Sequence, residues 1–455
     1  MRPNLLIILV DSLRADKFYG KEKSSDTPNI DSFISKGVYF NKNFSSSDGT
    51  VLSWSSIFTS LHSFKTGVTG KNFNKINSNI KTHFQLLQES GYHAYSCVPK
   101  IAYVVGLLDN FSNDDKTYPN FLNLDEGLAE KIITKLKSGQ MLEPWIFFIH
   151  INDIHFPIKP PQKFDKEKFG VTKYERMISS IDYSLGKILE HVNLETTTVV
   201  LSADHGAYIP SIKNSDIKIN FEPNGQLQRT ITKFANKIPS SLEPIKRKSF
   251  FILENIRKKS KEQKLKNLDL SEKEKRALLS QRGDSDHFLF DEKIHVPLLF
   301  MGYGVKNPKI VDQLSRSIDI FPTLLEIIGI TYPNVSFDGQ SLYPLFENKL
   351  LKELPVIIQS SPQVEIKSND VIGVRTKDFK YFRDIDNAGK RVFLFDLSSD
   401  PDEENNIASL NPEKVFELEK ILQKESLNSI HKNEMEIDED EIKNIEKELK
   451  KLGYV

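Results

Sequence analysis

Two apolar runs in this chain stop abruptly at a carboxylate, and that shared ending constrains its fold more than any other feature. Pro-Asn-Leu-Leu-Ile-Ile-Leu-Val-Asp spans 3–11, and Val-Val-Leu-Ser-Ala-Asp-His-Gly spans 199–206 behind three threonines. A continuous β-branched and aliphatic run with no polar alternation reads as a strand buried on both faces, the signature of a parallel sheet covered by helices. Ligands of such open α/β sheets bind at the carboxyl ends of the strands, where Asp11, Asp204 and His205 fall. A carboxylate pair with an imidazole suits a divalent cation, while a turn with a capping Asp is the plainer alternative.

Composition limits the function classes. The chain has 455 residues, and its 62 Lys and Arg balance 62 Asp and Glu, so no net charge points to nucleic acid. Its single cysteine, Cys97, rules out an internal disulfide and a four-cysteine zinc site. The apolar run at 5–10 is too short for a membrane span or a signal-peptide core. A cytoplasmic protein without a membrane span is expected.

The segment after the first strand supplies a nucleophile. Tyr39 to Phe44 reads as a short strand, followed by a hydroxyl-rich turn, Ser45-Ser-Ser-Asp-Gly-Thr, and a helix with apolar Leu52, Ile57, Phe58 and Leu61. Thr50 sits at the amino end of that helix, where free N–H groups and the helix dipole favour an oxyanion. An N-cap hydroxyl is the alternative reading.

The ordered blocks carry a family resemblance. The strand ending in Asp11, Thr50 ahead of Lys65-Thr-Gly, Glu89-Ser-Gly-Tyr-His-Ala leading to Lys100, and Phe147-Phe-Ile-His-Ile-Asn-Asp-Ile-His-Phe-Pro follow one another in the N-terminal half. Ala203-Asp-His-Gly, His-Val-Pro-Leu-Leu at 295–299, Asp338-Gly-Gln-Ser-Leu, and Asp396-Leu-Ser-Ser-Asp-Pro-Asp-Glu-Glu complete the series. This order resembles the sulfatase branch of the alkaline phosphatase superfamily. The resemblance implies an α/β sandwich with a large central mixed sheet flanked by helices, and a small C-terminal antiparallel sheet. It implies a metal site of Asp11, Thr50, Asp204 and His205, with Thr50 as catalytic nucleophile. His155 follows as a catalytic and substrate-binding group, Lys100 as a charge for the transferred group, and His287 as a metal ligand or a substrate contact. The cofactor implied is one divalent ion (Mn, Zn, Mg or Ca), with a second possible if Asp153 and His155 share a strand face and join His287.

Two departures bear on the substrate. Sulfatases of this type carry an oxidisable Cys or Ser in a Cys-x-Pro-x-Arg context, whereas the residues here are Thr50-Val-Leu-Ser-Trp. Threonine cannot become the formylglycine aldehyde. Ser12 stands where the family has a second aspartate. A direct Thr nucleophile resembles the phosphoryl-transfer branches, so a phosphate ester, most simply a diester, is the expected substrate. A sulfuric ester is the alternative, and an anion-binding homologue without turnover a further one. The partner is a small-molecule, saccharide or lipid-linked anionic ester.

A catalytic domain over 1–350, a C-terminal α+β subdomain over 351–430 and a charged helical tail over 431–455 follow from the pattern. Residues 207–282 form a charged insertion, rich in Lys and Arg toward its end, that reads equally as a lid over the site or as a solvated helical hairpin. A packing helix is expected over 174–192, with Asp182 in a structural role.

Overall fold

A computed structural model describes residues 2–68, 75–100, 102, 106–120, 122–213, 218–222, 256–280, 289–360 and 370–427. His287, much of the insertion and the tail beyond 427 lie outside these residues. Strands run in chain order as β1 (Asn4–Val10), β2 (Val38–Phe40), β3 (Asn43–Phe44), β4 (His93–Pro99), β5 (Thr117–Tyr118), β6 (Trp145–Ile151), β7 (Thr197–Ala203), β8 (Ser211–Lys213) and β9 (Lys218–Asn220). They continue as β10 (Leu298–Gly302), β11 (Lys309–Val311), β12 (Ser315–Arg316), β13 (Val356–Gln359), β14 (Val371–Arg375), β15 (Phe379–Asp384) and β16 (Phe393–Asp396).

The main sheet has eight strands in the order β11-β2-β10-β7-β1-β6-β4-β5. The two carboxylate-ended runs are direct neighbours in it: β1 pairs in parallel with β7 and, on its other side, with β6. β10 joins β7 antiparallel, so the sheet is mixed. Every residue of β1, β6 and β7 is buried, as expected for strands covered on both faces. The expected strand from Tyr39 to Phe44 is instead two, β2 and β3, in different sheets.

Alternation along the strands divides the core into two layers. Leu5, Ile7, Leu9 and Phe148 face the layer holding Leu52, Trp54, Ile57 and Phe58 of the helix Thr50–Thr59. Leu6, Ile8, Val10 and Ile149 face the layer holding Met177, Ile181 and Leu185 of the helix Lys173–Leu189. That helix is fixed by a capping box between Thr172 and Glu175. Its Asp182 accepts from the backbone N–H of Ile30 at 2.7 Å and from the Asn29 amide at 2.9 Å, tying down the start of the helix Pro28–Lys36. Among the described residues no helix is long and apolar enough to cross a membrane.

A second sheet, β13-β14-β15-β16, is antiparallel throughout and packs against the helix Pro412–Leu427. It is joined to the main body by a buried charge network. Lys380 Nζ lies 2.6 Å from Asp291 Oδ1 and 2.5 Å from Glu403 Oε1, and Arg375 reaches Asp291 Oδ2 at 3.1 Å. Burial pushes the Glu403 carboxyl up to about 7, against the pull of Lys380. Of the insertion, the hairpin β8-β9 and the helix Glu272–Leu279 share a small core of Leu265, Leu270 and Leu278 with Ile212 and Ile219. Arg276 and Lys273 grip the C-terminal subdomain, through the Asp402 and Glu403 carbonyls and the Asp402 carboxylate.

β6 ends at Ile151, and this corrects the expectation that Asp153 and His155 share one strand face. Past the strand the chain turns, and Asp153 Oδ1 accepts from the Leu124 N–H at 3.0 Å instead. Among the described residues no metal-competent group includes Asp153 or His155. Burial pushes the Asp153 carboxyl up to about 7. A raised folded-state value means the unfolded chain releases this proton first, so the folded state loses stability as pH rises from the ordinary carboxyl range near 3.8 through about 7. Asp153→Asn, which keeps the acceptor for Leu124, is therefore expected to raise the thermal midpoint more at pH 8 than at pH 5; equal shifts at both values would contradict this. Lys380→Met, by stranding the buried Glu403 carboxylate and leaving Asp291 to Arg375 alone, is expected to cost about 3–5 kcal/mol in urea denaturation.

Candidate active site

Asp11 directly follows β1, and Asp204 directly follows β7. β1 turns odd-numbered Leu5, Ile7 and Leu9 toward the layer of the helix Thr50–Thr59 and β7 turns even-numbered Val200 there, so alternation carries both Asp11 and Asp204 to that same side of the sheet. Asp11 is 2 % exposed and Asp204 is fully buried. The backbone does much of the aiming. Ser12 adopts a left-handed φ of 61°, which turns its N–H onto Asp204 Oδ1 at 3.2 Å and its hydroxyl onto Asp11 Oδ1 at 2.6 Å. The Tyr174 hydroxyl donates to the Ser12 carbonyl at 2.6 Å and accepts from the Arg14 N–H at 2.9 Å, locking that turn. A serine in place of the second aspartate thus serves to orient the carboxylate beside it.

Asp204 Oδ1 accepts from Ser12 and from the His205 N–H at 2.8 Å, while Oδ2 accepts no hydrogen bond. His205 Nδ1 lies 2.8 Å from the Gly206 carbonyl, an acceptor only, so Nδ1 carries the proton and Nε2 presents its lone pair. Gly206 must be glycine for reasons of space: a Cβ there would sit 2.2 Å from the Glu292 carbonyl oxygen. Its N–H donates to Lys293 at 2.7 Å, which fixes the turn carrying His205.

Thr50 completes the group. It is the first residue of its helix, with Gly49 rather than Thr50 at the cap, so its hydroxyl is spared for other partners. Oγ1 lies 3.4 Å from Asp11 Oδ2 and 3.2 Å from His205 Nε2. Below it, Ser45 Oγ donates to the Asp204 carbonyl at 2.5 Å and pairs with Ser53 Oγ at 2.9 Å, which accounts for the hydroxyl-rich turn.

The electrostatics fit a cation. Single ligand atoms of Asp11, Asp204 and His205 all lie within 4.8 Å of one another. Burial by itself would raise the Asp11 carboxyl, but the imidazoles of His150, His155 and His205 hold it well below the usual carboxylate range. Asp204 moves the other way, raised by burial and by the Asp11 charge despite His205. Two buried carboxylates, one with an oxygen lacking a hydrogen bond, beside an imidazole lone pair form a donor set that a divalent ion satisfies.

The remaining expected residues are less tightly gathered. His155 is half-buried beyond β6, with Nδ1 3.0 Å from the Phe156 carbonyl, and its charge is felt at Asp11. Lys100 lies in the exposed turn after β4. His287 is outside the described residues. The structure adds His150, which the sequence reading gave no role. It lies on β6 opposite Leu9 of β1, is fully buried, and places Nε2 3.5 Å from Asp11 Oδ2. A histidine inside an otherwise apolar strand, one pleat from its end, was the available signal.

A family model described as Sulfatase matches residues 3–330, and one for the C-terminal region of N-sulphoglucosamine sulphohydrolase matches 284–433. Arylsulfatase K of Gallus gallus is 24% identical over 470 residues, covering 92% of this chain and 82% of that protein. The Homo sapiens arylsulfatase K is 37% identical over a shorter stretch of 141 residues, 30% of this chain and 26% of that protein. Among solved structures, the phosphonate monoester hydrolase of Agrobacterium radiobacter superposes with a TM-score of 0.63 at 16% identity, covering 94% of this chain and 96% of that one. At that identity the shared property is the fold. With the Sulfatase model spanning most of its length, and with strand-end carboxylates placed as described, the chain belongs to the sulfatase family of the alkaline phosphatase superfamily, a family of ester hydrolases.

Proposed function

We propose that the chain hydrolyses a phosphoric ester, most simply a diester, with Thr50 as the nucleophile. The observation that carries this reading is the Thr50 hydroxyl held at a helix amino terminus, 3.2 Å from the lone pair of His205 and 3.4 Å from Asp11. Asp11, Asp204 and His205 would hold a divalent metal, with the Thr50 oxygen facing it. Bound there, such an ion lowers the pKa of the hydroxyl and draws negative charge from the transferred group.

The chain's own groups supply the rest. Thr50 Oγ1, its proton released to solvent, forms a bond to phosphorus as the alkoxy leaving group departs with the bonding electrons, giving a threonine ester. His155, half-buried beside the site, donates a proton to the departing oxygen. Water then attacks the same phosphorus and breaks the bond to Thr50, returning the hydroxyl. The N–H groups at the start of the helix Thr50–Thr59 stabilise the charge that develops on the non-bridging oxygens. Lys100, in its exposed turn, supplies a point charge for the incoming anion. His287, beyond the described residues, remains a further candidate contact.

A sulfuric ester is the second reading. It is favoured by the match to arylsulfatase K along nearly the whole chain. Against it stands residue 50, since a threonine cannot become the aldehyde hydrate that expels sulfate without a second attack at sulfur.

Metal-loaded protein assayed in parallel on aryl phosphodiester, aryl phosphate and aryl sulfate separates the two. Turnover of the diester is expected, with Thr50→Ala lowering kcat on the order of 10³-fold or more. Turnover of sulfate alone would overturn the phosphoryl preference, and activity surviving Thr50→Ala would overturn the nucleophile. Asp204→Asn is expected to abolish activity together with Mn²⁺ binding, read by calorimetry.

A further inference from the structure

His150 is fully buried, and neither of its ring nitrogens makes a hydrogen bond. An imidazole without partners in an apolar layer costs on the order of 1–3 kcal/mol, so its presence there needs a compensating role. The backbone gives it no way out. β6 is paired on both sides, with β1 and β4, and the His150 carbonyl accepts from the Tyr118 hydroxyl at 2.5 Å. The Trp54 ring meets the imidazole edge to face at 4.6 Å, which blocks rotation toward the helix Thr50–Thr59. What remains within reach of Nε2 is Asp11 Oδ2, at 3.5 Å, a distance just too long for a formed hydrogen bond.

Asp11 is anchored firmly on its other oxygen, by the Ser12 hydroxyl at 2.6 Å, while Oδ2 accepts only the longer contact from the Thr50 hydroxyl at 3.4 Å. Oδ2 is also the oxygen nearest Thr50. A carboxylate held tightly at one oxygen and by a single long hydrogen bond at the other can pivot about the short contact, so the Oδ2 end is the one whose direction needs a further partner. We infer that His150 is a positioning residue of the metal site: its Nε2–H closes onto Asp11 Oδ2 when a divalent ion is bound, and so sets the direction in which that carboxylate meets the ion and Thr50. The inference rests on the metal reading of Asp11, Asp204 and His205. Carboxylates that ligate metals are ordinarily held by such outer hydrogen bonds, whose loss weakens metal affinity about 10–100-fold.

The test is Mn²⁺ titration of the full-length protein by calorimetry, with wild type, His150→Phe, His150→Gln and Asp204→Asn compared. Phenylalanine keeps the ring against Trp54 and removes both nitrogens; glutamine keeps an N–H donor near the position of Nε2. The expected result is Mn²⁺ affinity lowered 10–100-fold in His150→Phe and restored to within a few-fold of wild type in His150→Gln. The metal-free His150→Phe protein is expected to melt at a higher temperature than metal-free wild type, a rise that a purely structural histidine would not give. Affinity within twofold of wild type in His150→Phe, or equal losses in the Phe and Gln variants, would overturn the role of His150. Loss of binding in Asp204→Asn alongside either of those results leaves the metal site standing. Wild-type affinity in Asp204→Asn would overturn the metal reading itself. Should His150→Phe fail to fold, His150→Leu takes its place in the same comparison.

Discussion

Two buried carboxylates at the ends of adjacent parallel strands repel each other, and the rest of the site is arranged around that repulsion. Asp11 and Asp204 emerge one residue past β1 and β7, and the parallel register that matches Val10 with Ala203 puts them side by side. Burial raises the cost of charge on either, and proximity raises it further. The structure answers with oriented donors, backbone N–H groups from Ser12 and His205 and a hydroxyl from Ser12, and with the electrostatic pull of three imidazoles on Asp11. These do not fully compensate two charges, which is why the donor set suits a dication. The positive φ at Ser12 belongs to the same account, because only that turn delivers both the amide and the hydroxyl of one residue to two different carboxylates.

The helix carrying Thr50 brings a hydroxyl to this electrostatic arrangement. Its interior face is large and aromatic, with Trp54 and Phe58 packed on Phe148 of β6, so its position relative to the sheet is rigid. Its first turn points at the strand ends. The hydroxyl of Thr50 is therefore positioned by core packing some distance away as much as by its polar neighbours.

Much of this was legible in the sequence. Uninterrupted aliphatic runs ending in Asp announced covered parallel strands and where the chemistry would sit, and the helix after the hydroxyl-rich turn begins at Thr50 itself. Local pattern failed where geometry depends on where a strand stops. Asp153 and His155 are spaced as strand neighbours, yet β6 ends at Ile151, and a turn sends Asp153 to the Leu124 amide in the opposite layer. His150 escaped for the complementary reason. Its value comes from the register of β6 against β1, a long-range property that no residue near it in sequence reveals. The insertion likewise reads as a run of charges, and only the tertiary contacts show that Arg276 and Lys273 use theirs on the C-terminal subdomain.

The short stretch around Asp291 to Lys293 has a consequence for the order in which the molecule can be completed. Its backbone presses on Gly206 beneath His205, its Glu292 side chain takes Arg276, and its Asp291 takes Lys380 and the amide contact with Glu403. The support under the His205 turn thus includes residues some two hundred positions downstream. A chain growing on the ribosome can assemble β1, β6 and β7 early, but the seat of His205 is not finished until the loop around Glu403 has emerged and closed. The seat of His205 therefore depends on a C-terminal sheet that follows it in the chain by well over a hundred residues.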